Sequence, residues 1–185
     1  MRLFVAVNLP ARVRDGLVRA LARLRAAPFP VRWVDAAAVH LTLKFLGEVP
    51  EATEPTIAAA VSDACRDQRA FALSLSGFGA FPNLRRPTVV WVGCHAPPAL
   101  GRVQRAVERS LAAVGFVPDQ RPFRPHLTLG RVRRDAGRLT GFADVLEDLR
   151  FEDSFMVEAL DVMQSVLRSD GARYAVRHSV PLLPA

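Results

Sequence analysis

His40-Leu41-Thr42-Leu43 recurs unchanged as His126-Leu127-Thr128-Leu129. The 185-residue chain has only four histidines, and chance predicts roughly a few thousandths of one copy of the tetrapeptide. An imidazole gives or takes a proton near neutral pH, and a threonine hydroxyl donates a hydrogen bond to a phosphate oxygen. On a strand, residues i and i+2 share a face, so His40 and Thr42 point one way while Leu41 and Leu43 point into a core. The same holds for His126 and Thr128. If two halves of the chain are related by a pseudo-twofold axis, two imidazoles and two hydroxyls face each other across one cleft. Two histidines flanking a phosphodiester can divide acid and base work, one activating the attacking oxygen and one protonating the leaving oxygen. No metal and no covalent intermediate is needed. Taken singly, each copy also reads as an ordinary half-buried strand; the repetition is what asks for a reason. A two-histidine metal site needs further ligands, and neither tetrapeptide contains Asp, Glu or Cys.

The second copy is set among arginines: Arg121 and Arg124 before it, and Arg131, Arg133 and Arg134 after it. Arg131 lies five residues beyond His126, on the opposite face by strict alternation, and either a bulge or a strand end near Gly130 can return it to the cleft. Arg133 and Arg134 read as solvated charges. Near the first copy only Lys44 is basic, and it reads as surface. Trp33, Phe45 and Phe123 are the aromatic residues nearest the motifs and are candidates for stacking a base or for packing. Phe45 and Arg124 are carried as base or rim contacts. His178 shares the Tyr174, Val176 and Val180 face by alternation and reads as a packed structural histidine. His95 reads as a strand-end or loop residue. Neither takes a catalytic role.

Alternating strands and helices must position these groups. Arg2 to Asn8 reads as a buried strand, Val31 to Val34 as a short one, and His40 to Leu46 as a strand ending at Gly47. Further strands are expected at Phe71 to Phe81, Thr88 to Val92, His126 to Arg133, Met156 to Val166 and Arg173 to Val180, the last two joined by a turn at Ser169-Asp170-Gly171. A helix after Pro10 carries Val13, Leu17, Leu21 and Leu24. A second, opened by Pro55, carries Ile57, Val61 and Cys65. A third, from Pro98 to Val114, has Leu100, Val103, Val107, Leu111 and Val114 as its buried stripe. Gly141 to Leu149 is expected to form a short helix. No polar linker divides the chain, so a single α+β domain over 1–185 is expected.

Composition narrows the classes. Half the residues are hydrophobic and 23% are charged, which excludes a disordered or fibrous chain. The 25 basic residues exceed the 18 acidic ones, giving a net charge of +7, and Lys44 is the only lysine. Guanidinium groups favour phosphate-bearing partners, although an arginine-rich composition also follows from genome base content. Two cysteines, Cys65 and Cys94, define neither a disulfide framework nor a zinc site. No Walker loop and no dinucleotide fingerprint is present. No apolar run is long enough for a signal peptide or a membrane span, so a cytoplasmic protein without membrane association is expected.

The chain resembles the two-histidine phosphoesterase superfamily, and within it the group of RNA 2′,3′-cyclic phosphodiesterases and 2′-5′ RNA ligases. The resemblance rests on both motifs with their flanks, His40 to Val49 and Pro122 to Val132. It also covers the opening Arg2 to Val7, the block Gly77 to Pro82 and Ser165-Val166-Leu167. It implies a bilobal, pseudo-symmetric fold in which antiparallel sheets line a central cleft, helices lie outside, and each lobe carries one motif (40–43 and 126–129). It implies hydrolysis of RNA terminal 2′,3′-cyclic phosphates to 2′-phosphates without metal or other cofactor, and the same groups run in reverse make a 2′-5′ linkage; a monomer is expected. His40 is then the proton donor and His126 the proton acceptor, with Thr42, Thr128 and Arg131 on the phosphate. Relatives commonly have a tyrosine and an acidic residue where this chain has Met163 and Gln164. Other readings of the same residues are a non-catalytic module gripping RNA ends, and a phosphodiesterase acting on small cyclic nucleotides or 2′-5′ oligoadenylates.

Overall fold

Leu3, Phe4, Val5, Ala6 and Val7 are all buried, so strand β1 (Arg2–Asn8) is covered on both faces and sits inside a sheet. The structure is a computed structural model and describes residues 1–168 and 171–185. The described residues form one curled sheet of nine strands, in which eight follow the order β7-β4-β5-β6-β3-β1-β8-β9. These are β3 (His40–Glu48), β4 (Phe71–Phe81), β5 (Val89–His95), β6 (His126–Val132), β7 (Glu152–Val157), β8 (Ala159–Arg168) and β9 (Gly171–Pro181). The ninth, β2 (Val31–Trp33), pairs with β6. Every strand pairing is antiparallel.

The two motif strands are neighbours, but their only register pair is Leu41 with Leu127. Beyond that pair β3 and β6 part, and the same edge of β6 takes up β2 instead. Gly130 makes this possible: a Cβ there would stand 2.7 Å from Val31 Cγ1 and 2.9 Å from Trp33 Cε3. The sheet thus has two four-stranded halves, β7-β4-β5-β6 and β3-β1-β8-β9, meeting at the repeated leucine.

Helices cover the face opposite the motif side chains. Helix α1 (Ala11–Ala20) packs on β7, α3 (Glu54–Cys65) on β8 and β9, and α4 (Pro98–Ala113) on β3 and β4. Prolines at the starts of α3 and α4 supply the helical φ where no backbone donor is required. Leu100, Val103, Val107 and Leu111 are buried along α4, each stabilising the packing by about 1.5–3 kcal/mol relative to an exposed side chain. Val114 falls just past the helix and is 39% exposed, so it does not extend the stripe as expected. The first helix continues through Leu21 into α2 (Ala22–Ala26), which keeps Leu21 and Leu24 buried.

Three expectations are corrected by breaks in strand alternation. The stretch Met156 to Val166 is two strands: β7 pairs with β4 in one half, and β8 pairs with β1 in the other. The buried residues Phe155 and Val157 are followed by Leu160 and Val162, a slip of phase that marks the crossing between halves. In β9, Met163 faces Val176 while Val162 faces His178, so Arg177 is an extra residue. That bulge separates His178 from Tyr174 and Val176. His178 is partly exposed and bonds Glu54 on α3 at 3.0 Å, beside a bidentate Arg177–Glu54 pair at 2.9 Å. It is an ion-pairing residue, not a packed one. Third, Lys44 is 2% exposed and not surface. Its ammonium contacts Glu108 at 3.0 Å, Asp119 at 3.3 Å and the Val117 carbonyl at 2.7 Å. Of the turn expected at Ser169-Asp170-Gly171, Ser169 and Asp170 lie outside the described residues, and Gly171 opens β9. His95 ends β5 and bonds Ser76 on β4.

Candidate active site

The bulge that frees Arg131 is at Leu129. Gly130 faces Val90 and Thr128 faces Trp91, leaving Leu129 unmatched on β6. The first motif repeats the irregularity: Lys44 faces Val5 and Thr42 faces Ala6, leaving Leu43 unmatched on β3. A single extra residue reverses alternation, so the side chains five positions past each histidine return to the histidine face. Those residues are Phe45, 59% exposed, and Arg131, also exposed. Both line the cleft with His40, Thr42, His126 and Thr128. Lys44 is turned by the same bulge toward α4 and away from the cleft. Arg124 is exposed but does not line the cleft; only its carbonyl serves the site. Trp33 lines the cleft at the β2 edge, whereas Phe123 packs against the core.

Continuing the Leu41–Leu127 register places His40 opposite Thr128 and Thr42 opposite His126. The four motif side chains therefore surround one point on the sheet, each imidazole across from the other copy's hydroxyl. Both rings are oriented alike. His40 Nδ1 donates to the Ala38 carbonyl at 2.8 Å, and His126 Nδ1 donates to the Arg124 carbonyl at 2.7 Å. A carbonyl can only accept, so each Nδ1 carries its proton and Nε2 is the exchanging nitrogen. The carbonyls are themselves fixed. Asp35 accepts from the Ala37 amide at 3.0 Å and caps the short turn that ends at Ala38. Arg124 precedes Pro125, which restricts its backbone to extended conformations.

The histidines differ in their surroundings. His40 stacks on Phe4, with ring centroids 4.7 Å apart, and meets the edge of Tyr174 at 5.1 Å. This burial pushes its pKa below the ordinary imidazole value, only partly countered by the bond to Ala38. His126 is touched edge-on by Phe81 at 4.9 Å, and Phe81 leans on Trp91 at 5.3 Å. Trp91 lies against Gly79, where a Cβ would come within 2.3 Å of the indole. Phe4, Phe81 and Tyr174 are not among the sequence candidates. They reach the site through strand pairings and curl that local patterns do not encode.

The cleft has a volume of about 1180 Å³, somewhat above the usual range for small-molecule sites. Arg2, Arg25, Arg32, Arg131 and Arg173 line it, and Asp35 is the only acid among its described lining residues. Among the described residues no cluster of three or more His, Cys, Asp or Glu can hold a metal ion. Burial pushes the Cys65 and Cys94 thiols up to about 11 and about 12, so neither is a nucleophile near neutral pH. Among the described residues no helix is long and apolar enough to cross a membrane.

The same architecture occurs in solved structures. A protein from Thermus thermophilus superposes with a TM-score of 0.80 at 30% identity, covering 98% of both chains. Escherichia coli LigT complexed with 3′-AMP gives 0.79 at 30% identity, covering 98% of this chain and 97% of that one. Among curated proteins, the RNA 2′,3′-cyclic phosphodiesterase of Methanothermobacter thermautotrophicus is 34% identical over 176 residues, 94% of this chain and 95% of that protein. The Thermus thermophilus protein of the same name is 35% identical over 184 residues, 95% of this chain and 87% of that one. The 2′-5′ RNA ligase superfamily matches residues 4–167, which include both histidine motifs, both bulges and the strands that carry them; the chain belongs to that superfamily.

Proposed function

We propose that the protein is an RNA 2′,3′-cyclic phosphodiesterase that opens a terminal cyclic phosphate to a 2′-phosphate by two-histidine acid–base catalysis. The observation that carries this reading is the pair of like-oriented imidazoles. They project from adjacent antiparallel strands into one arginine-lined cleft, each with Nδ1 occupied and Nε2 available. The names of the curated relatives support the substrate.

In the proposed reaction His126 Nε2 takes a proton from water as its oxygen attacks phosphorus. His40 Nε2 gives its proton to the 3′ oxygen as the P–O3′ bond breaks. One water is consumed, and the product carries a 2′-phosphate and a 3′-hydroxyl. Thr42 and Thr128 hold the non-bridging oxygens, and Arg131 stabilises the charge that grows on them. Phe45 offers a ring face to the terminal base. With an RNA 5′-hydroxyl in the reverse role, the same groups form a 2′-5′ bond. The protein acts as a monomer in the cytoplasm under this reading.

Incubation with an oligoribonucleotide ending in a 2′,3′-cyclic phosphate tests the reaction. The expected product is the 2′-phosphate, formed equally well in excess chelator; a 3′-phosphate product, or loss of turnover on chelation, overturns the reading.

A pH profile gives a second expectation. Both protonation states must be right at once, so kcat/KM against pH is bell-shaped. Burial lowers the pKa of His40, and one limb of the bell therefore falls below the ordinary imidazole value of about 6.5. Exposing the ring by Phe4→Ala moves that limb upward; a limb that stays in place assigns it to another group. The same burial has a stability consequence. The folded protein binds this proton less readily than the unfolded chain, so His40 weakens folding only as pH falls below about 6.5.

A further inference from the structure

Arg32 and Arg131 face each other directly in the β2–β6 pairing, a cross-strand arrangement of like charges that is unfavourable by itself. Both line the cleft, as does Arg25 from α2. None of the three is ion-paired with an acid among the described residues. The arrangement is built in: Gly130, next to Arg131, leaves the space into which Val31 and Trp33 pack, and that contact holds Arg32 one strand away. A terminal cyclic phosphate is a monoanion. One negative charge, already met by Thr42, Thr128 and Arg131, leaves Arg32 and Arg25 without a counter-charge. A second phosphodiester of an RNA chain supplies it, since each backbone phosphate adds one more.

We propose that Arg32, supported by Arg25, forms a second phosphate subsite that binds the phosphodiester preceding the terminal ribose, so that the enzyme selects oligonucleotide ends over free cyclic mononucleotides. This deepens the reaction proposed above and rests on it. Arg131 stays on the reacting phosphate, and Arg32, about 5 Å away across the strand pair, takes the neighbouring one. Exposed guanidinium–phosphate contacts of this kind change affinity by about tenfold, and their effect shrinks as salt rises.

The test compares kcat/KM for a dinucleotide ending in a 2′,3′-cyclic phosphate with that for the corresponding nucleoside 2′,3′-cyclic phosphate, at low and high salt. The wild-type protein is expected to favour the dinucleotide by about tenfold at low salt, and less at high salt. Arg32→Ala and the bulkier Arg32→Gln are expected to remove most of that preference. Equal wild-type rates on the two substrates overturn the subsite, as does a loss in either variant that is the same for both. Should neither substrate turn over, the reaction proposed above fails. Binding then decides the subsite on its own: the dinucleotide bearing a terminal 2′-phosphate must bind more tightly than the nucleoside 2′-monophosphate, by a margin that Arg32→Ala abolishes, and equal affinities overturn it.

Discussion

His126→Ala is expected to lower turnover of cyclic-phosphate RNA by about a thousandfold or more, and His40→Ala to do the same, because in the proposed reaction each removes one of two proton-transfer groups worth about 10²–10⁴-fold apiece. The double variant is little worse than either single one, since the groups act as a unit. The two losses separate when the 3′ bridging oxygen of the substrate is replaced by sulfur. A thiolate leaves without help from an acid, so His40→Ala recovers most of its activity on that substrate and His126→Ala does not. Equal recovery in both variants reverses or dissolves the assigned roles. The rings also differ structurally. His126 is held by one carbonyl and the edge of Phe81, so its truncation should leave the denaturation midpoint nearly unchanged. His40 is packed by Phe4 and Tyr174, and His40→Gln is the companion variant that keeps more of that packing.

Lys44→Met destabilises the fold by about 3 kcal/mol, within the range seen when one member of a buried ion pair is removed. The ammonium is 2% exposed and holds Glu108 of α4, Asp119 and the Val117 carbonyl together. Among the described residues no other cation pairs with Glu108, although Gln104 and the Asp119 amide also reach it. Methionine fills the volume but leaves the Glu108 carboxylate uncompensated. Urea unfolding measures the change. A midpoint within error of wild type shows that Glu108 escapes to solvent, and Glu108→Gln in the Lys44→Met background should restore part of the loss if it does not.

The motif residues are legible because a strand repeats every two residues and the tetrapeptide states its own face. The β1 strand is legible at its full length for a similar reason: an unbroken apolar run must be covered on both sides. Alternation fails where one residue is added. Arg131 cannot be placed without the Leu129 bulge, and Lys44 reads as surface because the Leu43 bulge is invisible in the pattern. His178 reads as packed for the same reason, through the bulge at Arg177. Other site residues arrive by long-range pairing. Arg32 meets Arg131 from a distant part of the chain, and Tyr174 reaches His40 from the last strand. Nothing local marks either. The break between β7 and β8 is readable in principle, as the odd step in the buried residues from Val157 to Leu160.

Gly130 gives the two copies of the motif a shared fate. The missing side chain beside the second copy admits β2, and the chain leaving β2 runs through Asp35 and the capped turn to the carbonyl that orients His40. A methyl group added next to one histidine's strand thus presses, through a short run of backbone, on the posture of the other histidine. Two segments that look like interchangeable duplicates are in this respect a single inherited part, and neither can drift in sequence as if the other were absent.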